Sequence, residues 1–175
     1  MPARQSNGWE IWFGELFDAR WREIRERVKH LKTTLNKADF NAHPEVKLFA
    51  ALVKIVHELV PTDPDASQFL LGNTLGVHHR AWRRVKGNGL PDRMRLFFKF
   101  SAAHKVIVFT WLNDAKTLRK QGGATDVYTV FQRMLKAGNP PDSFEQLMKK
   151  VATLAKQPAH LPNRPKRPAR KQAPT

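Results

Sequence analysis

The hydrophobic pattern at the start of the chain predicts a strand followed by two long helices. Residues 7–14 are short, aromatic and bounded by Gly; they fit a strand or an aromatic lead-in to the next helix, and we favour the strand. Apolar side chains then recur at steps of three and four along residues 17–35 and again along residues 45–60, the spacing of one face of an α-helix. Residues 36–44 predict a loop between the helices, and Pro61 predicts the end of the second. We therefore expect an antiparallel helical hairpin.

In the middle of the chain the hydrophobic period changes to two, which predicts β-strands at residues 82–86, 92–100 and 105–112. The third segment is apolar on both faces, which is typical of a central strand. Residues 87–91 and 101–104 are short connections with turn-forming residues or turn length. The three strands are therefore expected to form an antiparallel meander.

Two further amphipathic helices are predicted after the strands. Thr125 is a candidate cap for the first of them, which ends at Gly138. Asp142 and Glu145 have capping-box spacing at the start of the second, whose apolar stripe lies within residues 144–154. The order of helix, helix, strands, helix, helix predicts an α+β fold, with helices packed on an antiparallel sheet.

The charge of the chain indicates a polyanionic partner. Lys and Arg number 31 against 15 acidic residues, which gives a formal net charge of +16. Residues 157–175 contain five cations, five Pro and no acid, and they predict a disordered basic tail beyond a folded domain of residues 1–156. Without the tail's five cations the net charge is still +11. Such a surface attracts nucleic acid first, and acidic protein or anionic lipid second.

Several classes of protein are disfavoured by what the sequence lacks. The absence of Cys excludes disulfides, thiol catalysis and Cys-ligated zinc, and it fits a cytoplasmic protein. No apolar run approaches the roughly 20 residues that span a bilayer, so no membrane association is expected. The sequence contains no P-loop, Rossmann or G-x-S-x-G motif. His78 and His79 are adjacent and point opposite ways on an extended chain, so we expect no metal site and no cofactor.

The predicted strands carry cations in an alternating pattern. Alternation places Trp82, Arg84 and Lys86 on one face of the first strand. In the second strand, the face opposite the apolar one carries Arg93, Arg95, Phe97 and Lys99. If this face and that of Trp82 lie on the same side of the sheet, one surface carries all of these side chains. Cations interleaved with aromatics suit RNA, because cations bind phosphates and rings stack on bases. The alternative is an ordinary solvated polar face, but clustering of one sign of charge argues against it.

The loop after the third strand adds further candidates at the edge of the sheet. Asn113 and Asp114 come directly after the strand, and Arg119 and Lys120 follow. This loop could bring a carboxylate and more cations to the same surface. The alternative is that Asp114 only caps a turn.

Several motifs, in order along residues 7–148, resemble the YhaV toxins of the RelE/ParE superfamily. The sharpest matches are WRRVK (82–86), RMRLFFKF (93–100), KVI (105–107), WLND (111–114), TLR (117–119), TDVYTVF (125–131), MLK (134–136) and Pro140-Pro141. The chain departs from the family pattern at Met94, where an aromatic is usual, at Gly89-Leu90 in the preceding turn, and in its basic tail.

The resemblance implies a RelE-like fold, with a two-helix hairpin on a small antiparallel sheet and additional C-terminal helices. It also implies a toxin of a type II toxin–antitoxin system: a metal-independent endoribonuclease that cuts messenger RNA engaged with the ribosome. The implied partner is an AbrB-like antitoxin of the PrlF type, and operator DNA is expected to be bound only through the toxin–antitoxin complex.

The resemblance also assigns roles to individual residues. RelE-like enzymes take catalytic cations from adjacent strands, which correspond here to Arg84, Lys86 and Arg95, with Arg119, Asp114 and Tyr128 as further catalytic candidates. The expected RNA-binding residues surround them: Trp82, Arg83, Arg93, Lys99, Asn113 and Lys120. Two alternatives share the need for a basic surface: a non-enzymatic nucleic-acid-binding protein, and a ParE-like toxin that poisons gyrase.

Overall fold

A five-stranded mixed sheet forms the centre of the protein. The structure is a computed structural model that describes residues 4–156, so the predicted tail lies outside the described residues. The strands lie in the order β1-β2-β5-β4-β3. Their bounds are β1 Arg4–Ser6, β2 Trp9–Phe13, β3 Arg83–Val85, β4 Leu96–Ser101 and β5 Val106–Leu112.

The predicted meander is confirmed, since β3 pairs antiparallel with β4 and β4 with β5. The predicted N-terminal strand is also confirmed as β2. It forms a hairpin with β1 through Asn7 and Gly8, whose positive φ angles of 49° and 77° suit a two-residue hairpin turn. β2 also pairs parallel with β5, a pairing that the sequence did not predict. β5 therefore lies in the middle of the sheet, as its two apolar faces predicted.

The N-terminal helices cover one face of the sheet. Their bounds are α1 Glu15–Thr34, α2 Lys37–Ala42, α3 Pro44–Lys54 and a single turn, α4 Val60–Thr62. α1 packs on β5 and on α3, so the two predicted long helices do lie together. The predicted loop at residues 36–44 contains α2, because the Asn36 side chain accepts from the Asp39 N–H at 3.0 Å and begins a helix. A π-helical turn at Ile55–Leu59 precedes α4, and the helix ends one residue after Pro61.

Two C-terminal helices, α5 Val127–Lys136 and α6 Phe144–Lys156, cover the other face. The predicted cap at Thr125 is wrong: Asp126 is the N-cap of α5, and its side chain accepts from the Tyr128 N–H. The predicted capping role of Asp142 is also wrong. The Ser143 hydroxyl accepts from the Gln146 N–H instead, and the Asp142 carboxylate turns to the sheet.

The sheet therefore separates two hydrophobic cores. Phe17, Ile24 and Leu52 pack against one face together with Phe98 and Phe109 of the sheet. The second core lies under α5 and α6 and contains Trp82, Phe97, Val108, Phe131, Leu147 and Val151. The α+β class is confirmed, in a three-layer arrangement with helices on both faces. Among residues 4–156, no helix combines the length and the apolar character needed to cross a bilayer.

Candidate active site

Three strand ends and one helix start meet at a single edge of the sheet. Val85, at the end of β3, is paired with Leu96 at the start of β4, and Leu96 is paired with Leu112 at the end of β5. Residues that flank these positions are thereby brought together. The N-terminus of α5 lies above the same edge, because Tyr128 packs edge-on against Phe97 with ring centroids 5.9 Å apart.

Tyr128 is the centre of this edge. Its hydroxyl oxygen accepts hydrogen bonds from Nε of Arg84 and, at 3.3 Å, from Nε of Arg95. A phenol oxygen has two lone pairs and one proton. Since both lone pairs are engaged, the hydroxyl can interact with a further group only by donating its proton.

Arginine side chains also surround the Tyr128 ring. The guanidinium carbon of Arg119 lies 5.1 Å from the ring centroid, and that of Arg84 lies 5.8 Å from it. Both distances lie within the range of cation–π contacts. We refer to Tyr128, Arg84, Arg95 and Arg119 as the Tyr128 cluster.

Further hydrogen bonds fix the two arginines that bind the hydroxyl. Nη1 of Arg84 donates to the Leu70 carbonyl at 2.7 Å, and Nη1 of Arg95 donates to the Asp92 and Met94 carbonyls at 2.8 and 2.7 Å. Among residues 4–156, no hydrogen bond uses Nη2 of either arginine. Each guanidinium is thus anchored through Nε and Nη1, and both arginines are partly exposed. Guanidinium N–H groups match phosphate oxygens in geometry and charge.

Asn113 supports the cluster from below. Its Oδ1 accepts from the Arg95 N–H at 2.6 Å, and its Nδ2 donates to the carbonyls of Arg93 and Thr117 at 3.2 and 2.8 Å. The side chain is fully buried, with an exposed fraction of 0%. The structure therefore gives the Asn113 amide a supporting role, because it holds the backbone of the site and is closed to solvent, and its predicted contact with RNA has no support in this geometry.

Asp114 caps a turn, the alternative that the sequence left open. Its Oδ1 accepts from Lys116 N at 2.9 Å, from Thr117 N at 3.1 Å and from Thr117 Oγ1 at 2.9 Å. Burial acts to raise the pKa of Asp114, but these hydrogen bonds lower it by more, so the net pKa lies below the ordinary carboxyl value. The carboxylate stays ionised and is engaged in the turn, so nothing in this geometry supports a proton-transfer role.

The open basic sheet face that the sequence predicted is covered at its centre. Trp82 and Phe97 are 0% exposed and Lys99 is 5% exposed, because α5 and α6 pack over them. The Trp82 indole donates to Asp142 at 2.7 Å, and the Lys99 ammonium lies 3.0 Å from the same carboxylate. The burial of Trp82 and Lys99 does not support their predicted role in RNA binding; both side chains anchor Asp142, at the start of α6, to the sheet.

The remaining candidates lie around the Tyr128 cluster or away from it. Arg93 is exposed, and its Nε donates to the Arg119 carbonyl at 2.8 Å, while the exposed Lys120 follows in the same loop. Lys86 is exposed directly after β3. Arg83, by contrast, is paired with Phe98, faces the opposite core and binds Asp65 at 2.7 Å, so the structure separates it from the cluster.

Sequence reasoning missed Asp126, which is 2% exposed. Its Oδ2 accepts from Nη1 of Arg119 and, at 2.6 Å, from the Lys120 N–H, and its Oδ1 accepts from the Tyr128 N–H at 3.0 Å. Asp is as strong an N-cap as Thr, so the sequence did contain the signal at the position after Thr125. Within the described residues, no group of three or more His, Cys, Asp or Glu side chains could hold a metal ion.

Comparisons with known proteins agree with the resemblance seen in the sequence. A family model described as "Toxin with endonuclease activity, of toxin-antitoxin system" matches residues 11–152. The "Ribonuclease toxin YhaV" of Escherichia coli K12 is 36% identical over 147 residues, covering 83% of this chain and 93% of the relative. A "Toxin YhaV" of Escherichia coli O6:H1 is 37% identical over 143 residues, covering 81% and 90%.

No solved structure matches the chain at a significant level. The family match nevertheless spans strands β3, β4 and β5, most of both helical layers and all four members of the Tyr128 cluster. The chain belongs to the YhaV family of toxins, which have endonuclease activity and are components of toxin–antitoxin systems.

Proposed function

We propose that this toxin is an endoribonuclease that cleaves messenger RNA engaged with the ribosome and thereby arrests translation and growth. The observation that carries the proposal is the Tyr128 cluster, in which three partly exposed guanidinium groups and one donor hydroxyl meet at one edge of the sheet. Its partner is proposed to be an AbrB-like antitoxin of the PrlF type, and operator DNA to be bound only by their complex.

The chemistry that this arrangement suits is attack by a ribose 2′-hydroxyl on the adjacent phosphate. The O2′–P bond forms and the P–O5′ bond breaks, which leaves a 2′,3′-cyclic phosphate and a 5′-hydroxyl. Charge builds up on the phosphorane oxygens during the step, and Nη2 of Arg84 and Arg95 is available to neutralise it. Removing one such donor typically lowers a rate by about 10²–10³-fold.

Tyr128 supplies the proton for the leaving oxygen in this scheme. Because two arginines occupy its lone pairs, the hydroxyl is held as a donor, which is what the departing O5′ requires. The proton of the attacking 2′-hydroxyl passes to solvent. We assign Lys86 to binding a flanking phosphate, since it is exposed two residues after Arg84.

We propose that cleavage needs no metal ion, because the three guanidiniums provide the positive charge that a metal ion supplies in other nucleases. The ribosome orders the RNA substrate in this scheme. Among residues 4–156, the carboxylate hydrogen-bonded to the cluster is Asp126, and all its contacts are taken by N–H donors, so the site contributes charge and a proton donor but no free carboxylate base.

Growth arrest on induction tests the proposal. We expect Arg95→Ala and Lys86→Ala to abolish arrest at equal expression and unchanged circular dichroism. Arg25→Ala is the matched control, because Arg25 lies on α1, pairs with Glu26 and belongs to the layer on the other side of the sheet. Arrest of wild-type strength in both site variants would refute the assignment. RNA binding without any cleavage by the wild type would favour a non-enzymatic binder instead.

A further inference from the structure

Asp126 makes more contacts than a helix cap requires. An N-cap needs one oxygen that accepts from the N–H of the second or third residue of the helix, and Oδ1 of Asp126 does this for Tyr128 at 3.0 Å. Ser, Thr or Asn could serve equally well in that role. Oδ2 is a second acceptor that capping leaves unused.

The second oxygen binds the active-site loop. Oδ2 of Asp126 accepts from Nη1 of Arg119 and from the Lys120 N–H at 2.6 Å. Arg119 is thereby held with its guanidinium carbon 5.1 Å from the Tyr128 ring centroid, while its carbonyl accepts from Arg93. One buried carboxylate thus fixes both the ring and a cation that lies against it.

The charge of the site makes this contact necessary. Three guanidiniums converge on one ring, and like charges at such short range repel one another. Within the described residues, Asp126 is the only carboxylate hydrogen-bonded to an arginine of the Tyr128 cluster. Burial acts to raise the pKa of Asp126, but hydrogen bonds from Arg119, Lys120 and Tyr128 lower it by more. The net pKa lies below the ordinary carboxyl value, so the group is an anion at neutral pH. An ionised carboxylate with three N–H donors is suited to holding neighbours in place and not to transferring protons.

We propose that Asp126 is a positioning residue for RNA cleavage, acting through Arg119 on the placement of the Tyr128 hydroxyl. The inference rests on the proposed function, since it assumes that the Tyr128 cluster performs the cleavage. It goes further in assigning catalytic consequence to a residue that does not itself face the substrate.

The test is Asp126→Asn, measured on the purified toxin by the rate of cutting of a 5′-end-labelled messenger RNA in a reconstituted translation mixture. Asn keeps the Oδ1 acceptor that caps α5, but its amide nitrogen cannot accept from Arg119 or Lys120. We expect kcat to fall by about 10- to 100-fold, the effect of a displacement of about 1 Å at a reacting group, while KM changes by less than about threefold.

A double-mutant cycle separates positioning from general stability. If Asp126 acts through Arg119, Asp126→Asn lowers kcat by less than about threefold in an Arg119→Gln background, because the two side chains are coupled. Ser143→Ala is the matched control. It removes the cap of α6, where Oγ accepts from Gln146 N at 3.4 Å, and is expected to lower the melting temperature without changing kcat per folded molecule.

The outcomes distinguish this inference from the function on which it rests. Wild-type cleavage by Arg95→Ala would overturn the proposed active site. Loss of cleavage in Arg95→Ala together with wild-type kcat in Asp126→Asn would overturn the positioning role alone. If Asp126→Asn does not fold, Asp126→Ser decides the question, since Ser keeps a capping oxygen but has no second oxygen for Arg119 and Lys120: a fall of about 10- to 100-fold in kcat supports the inference, and an unchanged kcat overturns it.

Discussion

Replacing Tyr128 by Phe removes one oxygen atom and leaves the ring in place. The ring is 6% exposed and packs edge-on against Phe97, a contact that Phe retains. Only the two hydrogen bonds from Arg84 and Arg95 are lost. Hydrogen bonds to charged groups contribute about 1.5–3 kcal/mol each, but both arginines are partly exposed and can bind water instead. We therefore expect a loss of about 1 kcal/mol, or about 2–4 °C in melting temperature.

The expected effect of Tyr128→Phe on cleavage is much larger than its effect on stability. Loss of a general acid lowers a rate by about 10²–10⁴-fold. The assay is the cutting rate of a labelled messenger RNA by purified toxin, with the melting temperature measured on the same preparation. Thr129→Val is the matched control, because it removes a hydroxyl from the next residue of α5, outside the Tyr128 cluster. A Tyr128→Phe toxin that cuts within about twofold of the wild-type rate would refute the donor role of the hydroxyl.

Three further outcomes are expected. Asp142→Asn should lower stability by about 1–2 kcal/mol, since Lys99 is buried but Asp142 is partly exposed. Burial acts to raise the pKa of Asp142, but hydrogen bonds from Lys99 and Trp82 lower it below the ordinary 3.8. This stabilisation is therefore present above pH 3.8 and is lost as the pH falls through the folded-state pKa, so acid unfolding followed by fluorescence should be less steep in the variant. Cleavage of free RNA, expected to be slower than cleavage on the ribosome, should persist in EDTA and leave 2′,3′-cyclic phosphate or 3′-phosphate ends; loss of activity that magnesium restores would contradict it. Removing residues 157–175 should lower the salt slope of RNA binding by at most about 3.5 without moving the cut positions, and an unchanged slope would show that the tail makes no phosphate contacts.

The elements of the fold could be predicted because their periodicity is local. The stripe along α1 and the alternation along β4 lie within single segments of sequence, and both predictions are confirmed. The parallel pairing of β2 with β5 could not be predicted in this way. It joins Ile11 to Ile107, and nothing in either segment alone specifies a partner so distant along the chain.

The burial of Trp82 and Lys99 shows what alternation does not establish. Alternation identifies which side chains share a face of a sheet, but it does not say whether that face is covered. The sequence did contain a clue, because the apolar stripes of α5 and α6 need an apolar surface to pack on. A β5 strand that is apolar on both faces provides it.

The candidate site was only partly accessible from sequence for the same reason. Arg84 and Arg95 could be placed together, because they flank paired positions of adjacent strands. The sequence and the family resemblance identified Tyr128 and Arg119 as candidate catalytic residues, but they did not predict where these side chains lie. Their position depends on how α5 and its preceding loop pack on the sheet, which only the tertiary structure reveals.

The central claim is that the Tyr128 cluster cuts RNA, and mapping of RNA ends in cells tests it most directly. The measurement compares new 5′-hydroxyl ends in total RNA after induction of the wild type, Arg95→Ala and the Arg25→Ala control at equal protein levels. We predict that the wild type and Arg25→Ala produce the same new ends within messenger RNAs, and that these ends are absent with Arg95→Ala. The same ends at wild-type frequency with Arg95→Ala would contradict the account.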